Sequence, residues 1–198
     1  DVKRLSMGPY ICKGFENTDI ESFCEAAKGL GLKAVSVKER HVRYGLLLAG
    51  ADKKSARGFL RELKLDNDTI NSASVLAENL LRPVKADRYE IKKLTQKIGR
   101  GLMGELLELK KKLFEGGVSS YMKTCSESIE EVKYIYDDIE AHNEPIFLKE
   151  LAVKGADLIA LGENEGPRIG KTLSDMLEEV LKHPENNEKS YLINKFFL

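Results

Sequence analysis

Tryptophan is absent from the chain, and Tyr and Phe number only 7 each among 198 residues. With so few aromatics and so many Leu, Lys and Glu, the composition favours helices over a β-rich fold. Net charge is missing as well: 32 basic side chains face 32 acidic ones. No global field draws the chain to a polyanion, so any nucleic-acid contact must come from a local patch. The 3 cysteines, Cys12, Cys24 and Cys125, are odd in number and far apart. That spacing suits neither a disulfide framework nor a zinc site and implies buried or free thiols in a reducing cytosol. No apolar run approaches the roughly 20 residues of a membrane span. No signal peptide is visible: the chain opens Asp1-Val2-Lys3-Arg4, without methionine or an apolar segment, which reads as a cut inside a longer protein. Internal repeats and low-complexity tracts are also lacking.

What is present is a succession of helix patterns, and the fold class expected is all-α. Asn17 or Thr18 starts one helix over residues 17 to 30, with Glu21 completing a capping box after Thr18. Val35-Ser36-Val37 is too short to define a strand. Residues 38 to 49 are helical, and Tyr44 to Gly50 is apolar on every side, which places it at the centre of a first subdomain. Asp52 caps a helix with Ala56, Phe59, Leu60 and Leu63 on its inner face, and Asp66 caps the next, through Ile70, Ala73, Leu76, Ala77 and Leu80. Arg82-Pro83 breaks the pattern, because proline disfavours helix in the residue before it. The division expected there is 1–82, an N-terminal helical subdomain, and 83–198, a C-terminal helical body and tail.

Beyond the break, Asp87 starts a helix over 88 to 98, and Gly99 and Gly101 punctuate it. Residues 102 to 114 continue with Leu102, Leu106, Leu109 and Leu113 at helical spacing, ended by Gly116-Gly117. Ser126 or Ser128 caps an amphipathic helix carrying Ile129, Val132, Ile135, Tyr136 and Ile139. The stretch from Leu148 to Leu181 then reads as helix, tight glycine turn, helix. Gly162 stops the first helix in the left-handed conformation, and Gly166-Pro167 opens the second, with proline where a missing N–H costs nothing. Ile169, Leu173, Leu177, Val180 and Leu181 make one apolar stripe. Gly170, one turn in, is expected to let a neighbouring helix approach closely. A last short helix ends in Ile193, Phe196 and Phe197.

Two blocks carry a family resemblance. The first comprises Leu151-Ala152-Val153, Gly155, Asp157-Leu158-Ile159, Leu161-Gly162, Gly166-Pro167, Ile169-Gly170, Leu177-Glu178, Val180-Leu181, Pro184-Glu185 and Asn187. The second is LRELKLDNDTI, from Leu60 to Ile70. Together they resemble the C-terminal part of the bacterial tRNA nucleotidyltransferase and poly(A) polymerase family, which includes the CCA-adding enzymes. The resemblance runs from roughly Arg57 to Tyr191 and implies the all-helical body and tail of a class II enzyme. In the family, those parts hold the acceptor and T arms of tRNA by shape and backbone.

The chemistry of the reaction is not spelled in the chain. Nucleotidyl transfer needs a Gly-Ser loop and two acidic residues on a strand to hold Mg²⁺. The resemblance assigns these, with CTP or ATP, to a catalytic head that this sequence does not match. Asp66-Asn67-Asp68 sits at a helix start and reads as a cap. Gly166 to Thr172 lacks the glycine-to-Gly-Lys spacing of a phosphate loop. Many relatives carry a His-Asp metal pair after a segment like RxALLL; here Ala49 and Gly50 stand in its place. His41, His142 and His183 have no ligand spacing. No catalytic or metal residue and no cofactor is therefore assigned to this chain.

Binding remains. Arg88, Lys92, Lys93, Lys97 and Arg100, with Gln96, follow at three- and four-residue steps and predict a basic ridge backed by Ile91, Leu94 and Ile98. Lys85 and Arg82 extend it toward the loop, and Lys110-Lys111-Lys112 forms a second run. The backbone N–H groups after Gly166, with Arg168 and Lys171, offer another phosphate-binding position. The expected partner is tRNA or another RNA 3′ end, with no membrane. Two other readings stand beside it: a helix-hairpin-helix module binding nucleic acid without sequence preference, and a structural domain holding a homodimer through its apolar C-terminal end.

Overall fold

The computed structural model describes residues 39–115, 129–163 and 166–197. The sequence readings at residues 1 to 38, the Gly116-Gly117 stop, the Ser126 or Ser128 cap and all three cysteines lie outside the described residues. Among the described residues there are nine α-helices, two 3₁₀ turns and no strand, so the chain is all-α. They gather into two compact units that are not continuous in sequence. The first runs to Lys85 and resumes at Arg100 to Glu130, and the second takes Ala86–Gly99 and Glu131–Leu198.

The first unit is built on α1 (Arg40–Leu47), α2 (Lys53–Glu62), α3 (Asn67–Leu80) and α5 (Arg100–Glu115). The starts of α2 and α3 follow from side-chain caps. Asp52 accepts from the N–H groups of Lys54 and Ser55, both at 3.0 Å. Asp66 accepts from the Thr69 N–H and the Thr69 hydroxyl, both at 2.8 Å. These satisfy N–H groups that a helix start otherwise leaves open. α1 crosses α3 at Gly45, where a β-carbon would stand 2.8 Å from Leu76 Cβ. Leu48, Ala51, Ala56, Leu60, Ile70, Ala73 and Ala77 form the core beneath that crossing. Each fully buried leucine among them contributes about 1.5–3 kcal/mol through apolar burial. α5 packs against α3 and buries Met103, Leu106 and Leu107 completely.

In the second unit, α4 (Arg88–Ile98) and α6 (Ile129–Ala141, which belongs to this unit from Glu131) precede the hairpin. The hairpin pairs α7 (Gly155–Ala160) with α8 (Pro167–Lys182), and α9 (Lys189–Phe196) closes the chain. α8 is the organising element, in contact with α4, α7, α9 and both 3₁₀ turns. Gly162 has φ 98°, the left-handed conformation expected of it, and Glu163 N–H reaches back to the Leu158 carbonyl at 3.0 Å. Leu151, Val153, Leu158, Met176, Leu177, Val180, Leu181 and Leu192 make the core, and Ile193, Phe196 and Phe197 pack partly on it.

The close approach expected at Gly170 is not there. Gly170 is exposed, and a β-carbon built on it meets nothing within 4 Å. Its place in the hairpin is taken by Gly155, whose added β-carbon would lie 3.4 Å from the Ile169 side chain.

Candidate nucleic-acid interface

α4 begins where the sequence reading put it. Asp87 accepts from the Glu90 N–H at 2.9 Å, and Gly99, at φ 90°, stops the helix after Ile98. Its rotation, however, turns Ile91, Lys92, Thr95 and Ile98 inward together. Lys92 is 0% exposed; its Nζ donates to the Leu181 carbonyl at 3.0 Å and lies 2.5 Å from Glu144. The exposed basic ridge is thereby corrected: Lys92 is an internal strut that caps the last turn of α8. Burial pushes its pKa down, and the bond to Glu144 opposes that shift without cancelling it.

Arg88, 41% exposed, is also tied to partners within the unit. Its guanidinium bonds both Glu144 and Asp138, and those bonds, led by Glu144, raise its already high pKa further. Burial works against ionisation of Glu144, yet the bonds from Arg88 and Lys92 outweigh it and hold its pKa low. Lys93 stays 39% exposed and pairs with Glu178 at 3.1 Å. Lys97 is exposed at the end of the helix. Lys85 is exposed in the loop at the end of the first unit's opening segment, and Arg100 is partly exposed at the start of α5. Of the second lysine run, Lys110 is buried at 3% exposure and donates to the carbonyls of Leu80 at 2.8 Å and Arg82 at 2.5 Å. It does for α3 what Lys92 does for α8, placing a cation at the negative end of a helix.

At the hairpin, Gly166 precedes α8 with φ 149°, and Pro167 occupies the first helical position. Arg168 is 81% exposed with its Nε 3.5 Å from Glu163, and Lys171 is exposed one turn on. This pair keeps the surface position that an anion contact requires.

One group escaped the sequence reading. The Tyr89 ring on α4 has Lys93 Nζ at 5.9 Å and Lys182 Nζ at 5.4 Å from its centroid, and its hydroxyl donates to Glu178. That bond, then burial, pushes the tyrosine pKa up to about 12. Nothing local in the sequence links Tyr89 with Lys182, because only the packing of α4 on α8 joins them.

The motif residues serve the frame. Asn187 accepts from the Ala152 N–H at 2.8 Å and donates to the Glu150 carbonyl at 3.0 Å, pinning the chain before α7 to the turn before α9. Asp157 accepts from the Lys154 N–H at 2.8 Å and pairs with Lys189 at 2.7 Å. Ala49 is buried, and Gly50 has φ 87° with its N–H bonded to the Ala77 carbonyl at 2.9 Å. His41 bonds Glu105 at 2.8 Å, His142 lies beside Asp138 and His183 beside Glu185. Among the described residues no three His, Cys, Asp or Glu side chains converge as a metal site would require, and no helix is long and apolar enough to cross a membrane.

Neither the curated proteins nor the solved structures give a significant match to the sequence. A family model does: tRNA nucleotidyltransferase domain 2 matches residues 38–196, reaching from α1 through α9 and including both motif blocks. The chain belongs to the tRNA nucleotidyltransferase domain 2 family.

Proposed function

We propose that this chain is the RNA-holding part of a tRNA nucleotidyltransferase, positioning an RNA 3′ end for nucleotide addition by a catalytic head joined to it. The observation that carries this reading is the family match across residues 38–196. Mg²⁺ and CTP or ATP then belong to the head, as does the choice between CCA and poly(A) addition, and the setting is the cytoplasm. Double-helical RNA is recognised by shape, 2′-hydroxyl and phosphate contacts. Such recognition needs spaced cations rather than exposed aromatics. Lys85, Lys97, Arg168 and Lys171 keep their side chains at the surface, whereas Lys92 is buried and Arg88 is ion-paired with Glu144 and Asp138. The apolar C-terminal end that a homodimer would use packs partly on its own core, which favours RNA binding over the dimerisation reading.

The test is binding of a tRNA transcript lacking its 3′ CCA, measured from 50 to 200 mM salt beside duplex DNA of similar length. RNA should bind more tightly, and Arg168→Ala with Lys171→Ala should flatten the plot of log affinity against log salt by roughly 0.7–0.9 per lost contact. Equal affinity for the DNA would favour the helix-hairpin-helix reading. Binding to neither would overturn the proposal.

A further inference from the structure

α4 and α8 pack side by side within the second unit, and their contact brings together residues that no local pattern connects. Lys93 lies one turn beyond Tyr89 on α4, while Lys182 is the last residue of α8. Both ammonium groups stand within 6 Å of the Tyr89 ring centroid. Glu178, one turn before Lys182, accepts from the Tyr89 hydroxyl and from Lys93 at 3.1 Å. Two cations thus share one carboxylate. The ring face attracts an ammonium without cancelling its charge, whereas Lys92 is wholly buried against Glu144 and the Leu181 carbonyl. Lys182 is exposed and Lys93 is 39% exposed, so this charge is both restrained and open to water.

Lysine presents a compact point charge with no fixed fork. That suits the oxygens of a phosphodiester backbone, whose contacts fix position and carry no sequence information. We infer that Tyr89, Lys93 and Lys182 form a backbone-phosphate clasp for RNA, with Lys93 and Lys182 as the contact residues and Tyr89 as the positioning residue that holds both ammonium groups. The inference rests on the RNA-holding function above and adds a contact point distinct from Arg168 and Lys171.

The experiment uses the full chain and a fluorescent tRNA transcript across the same salt series. Lys93→Gln with Lys182→Gln should flatten the salt slope by about 1.4–1.8, two contacts' worth. Lys93→Arg with Lys182→Arg, which keeps both charges, should restore it. Tyr89→Leu, which keeps the lysines but removes their platform, should fall between. Because Lys182 is exposed, Lys182→Gln alone preserves the fold and should flatten the slope by about 0.7–0.9. RNA binding by the parent chain with an unchanged slope in the glutamine variants would overturn the clasp and leave the functional reading standing. Failure of the parent itself to bind RNA would overturn both.

Discussion

Glu144 carries more of the second unit than its place in a loop suggests. It accepts from Arg88 and is the carboxylate that balances Lys92, whose side chain is 0% exposed. Taking one partner from a buried pair leaves the other charge uncompensated, at a cost of about 3–5 kcal/mol. Glu144→Ala should lower the thermal midpoint accordingly. The pH dependence has a definite sign. Glu144 and Asp138 are held below their ordinary values of 4.5 and 3.8, so the unfolded chain binds more protons as pH falls. The stability they supply is present above about pH 4.5 and is lost as pH drops through their folded pKa values. Melts from pH 7 to pH 3 should show the parent losing this increment on acidification. Glu144→Ala, already without the Glu144 share of it, should depend less on pH. Matching pH profiles in the two proteins would refute this account. None of this network was legible in the sequence: Lys92 looks like its neighbour Lys93, and its carbonyl partner at Leu181 is 89 residues away.

The helices themselves were more legible, because what starts and stops them is local. Asp52, Asp66 and Asp87 cap as their positions predict, and Gly162 and Gly166-Pro167 frame the hairpin turn. The rotation of an element about its own axis is another matter. A glycine within a helix pattern does not reveal which face it occupies, and here the expectation fell on the wrong one. Gly45 sits in the α1–α3 crossing, while Gly170 faces open space. Gly45→Ala should cost about 1–3 kcal/mol, because Leu76 Cβ and the α3 backbone would have to move. Gly170→Ala should leave stability unchanged or raise it by about 0.5–1 kcal/mol through helix propensity. Urea denaturation of the two variants would decide, and equal midpoints would refute the assignment.

For the molecule as a whole, the balanced charge of the sequence hides an unequal use of its cations. Lys92 and Lys110 work inside the units as helix caps, and Lys85, Lys97, Arg168, Lys171 and Lys182 remain at the surface. A count of 32 basic residues could not separate these roles; burial does. The fold class could be read from composition and periodicity, but the candidate interface could be read only in part, because exposure is decided by contacts between helices far apart in sequence. Those buried lysines have a chemical consequence. An amine acylates only when its nitrogen lone pair meets the reagent, and Lys92 in the second unit and Lys110 in the first have their ammonium groups locked against backbone carbonyls. Under brief treatment with an acylating reagent, Lys171 and Lys182 should be modified promptly while these two stay protected. Peptide mass spectrometry across a denaturant series would then read the opening of each unit from its own internal lysine, without any introduced probe.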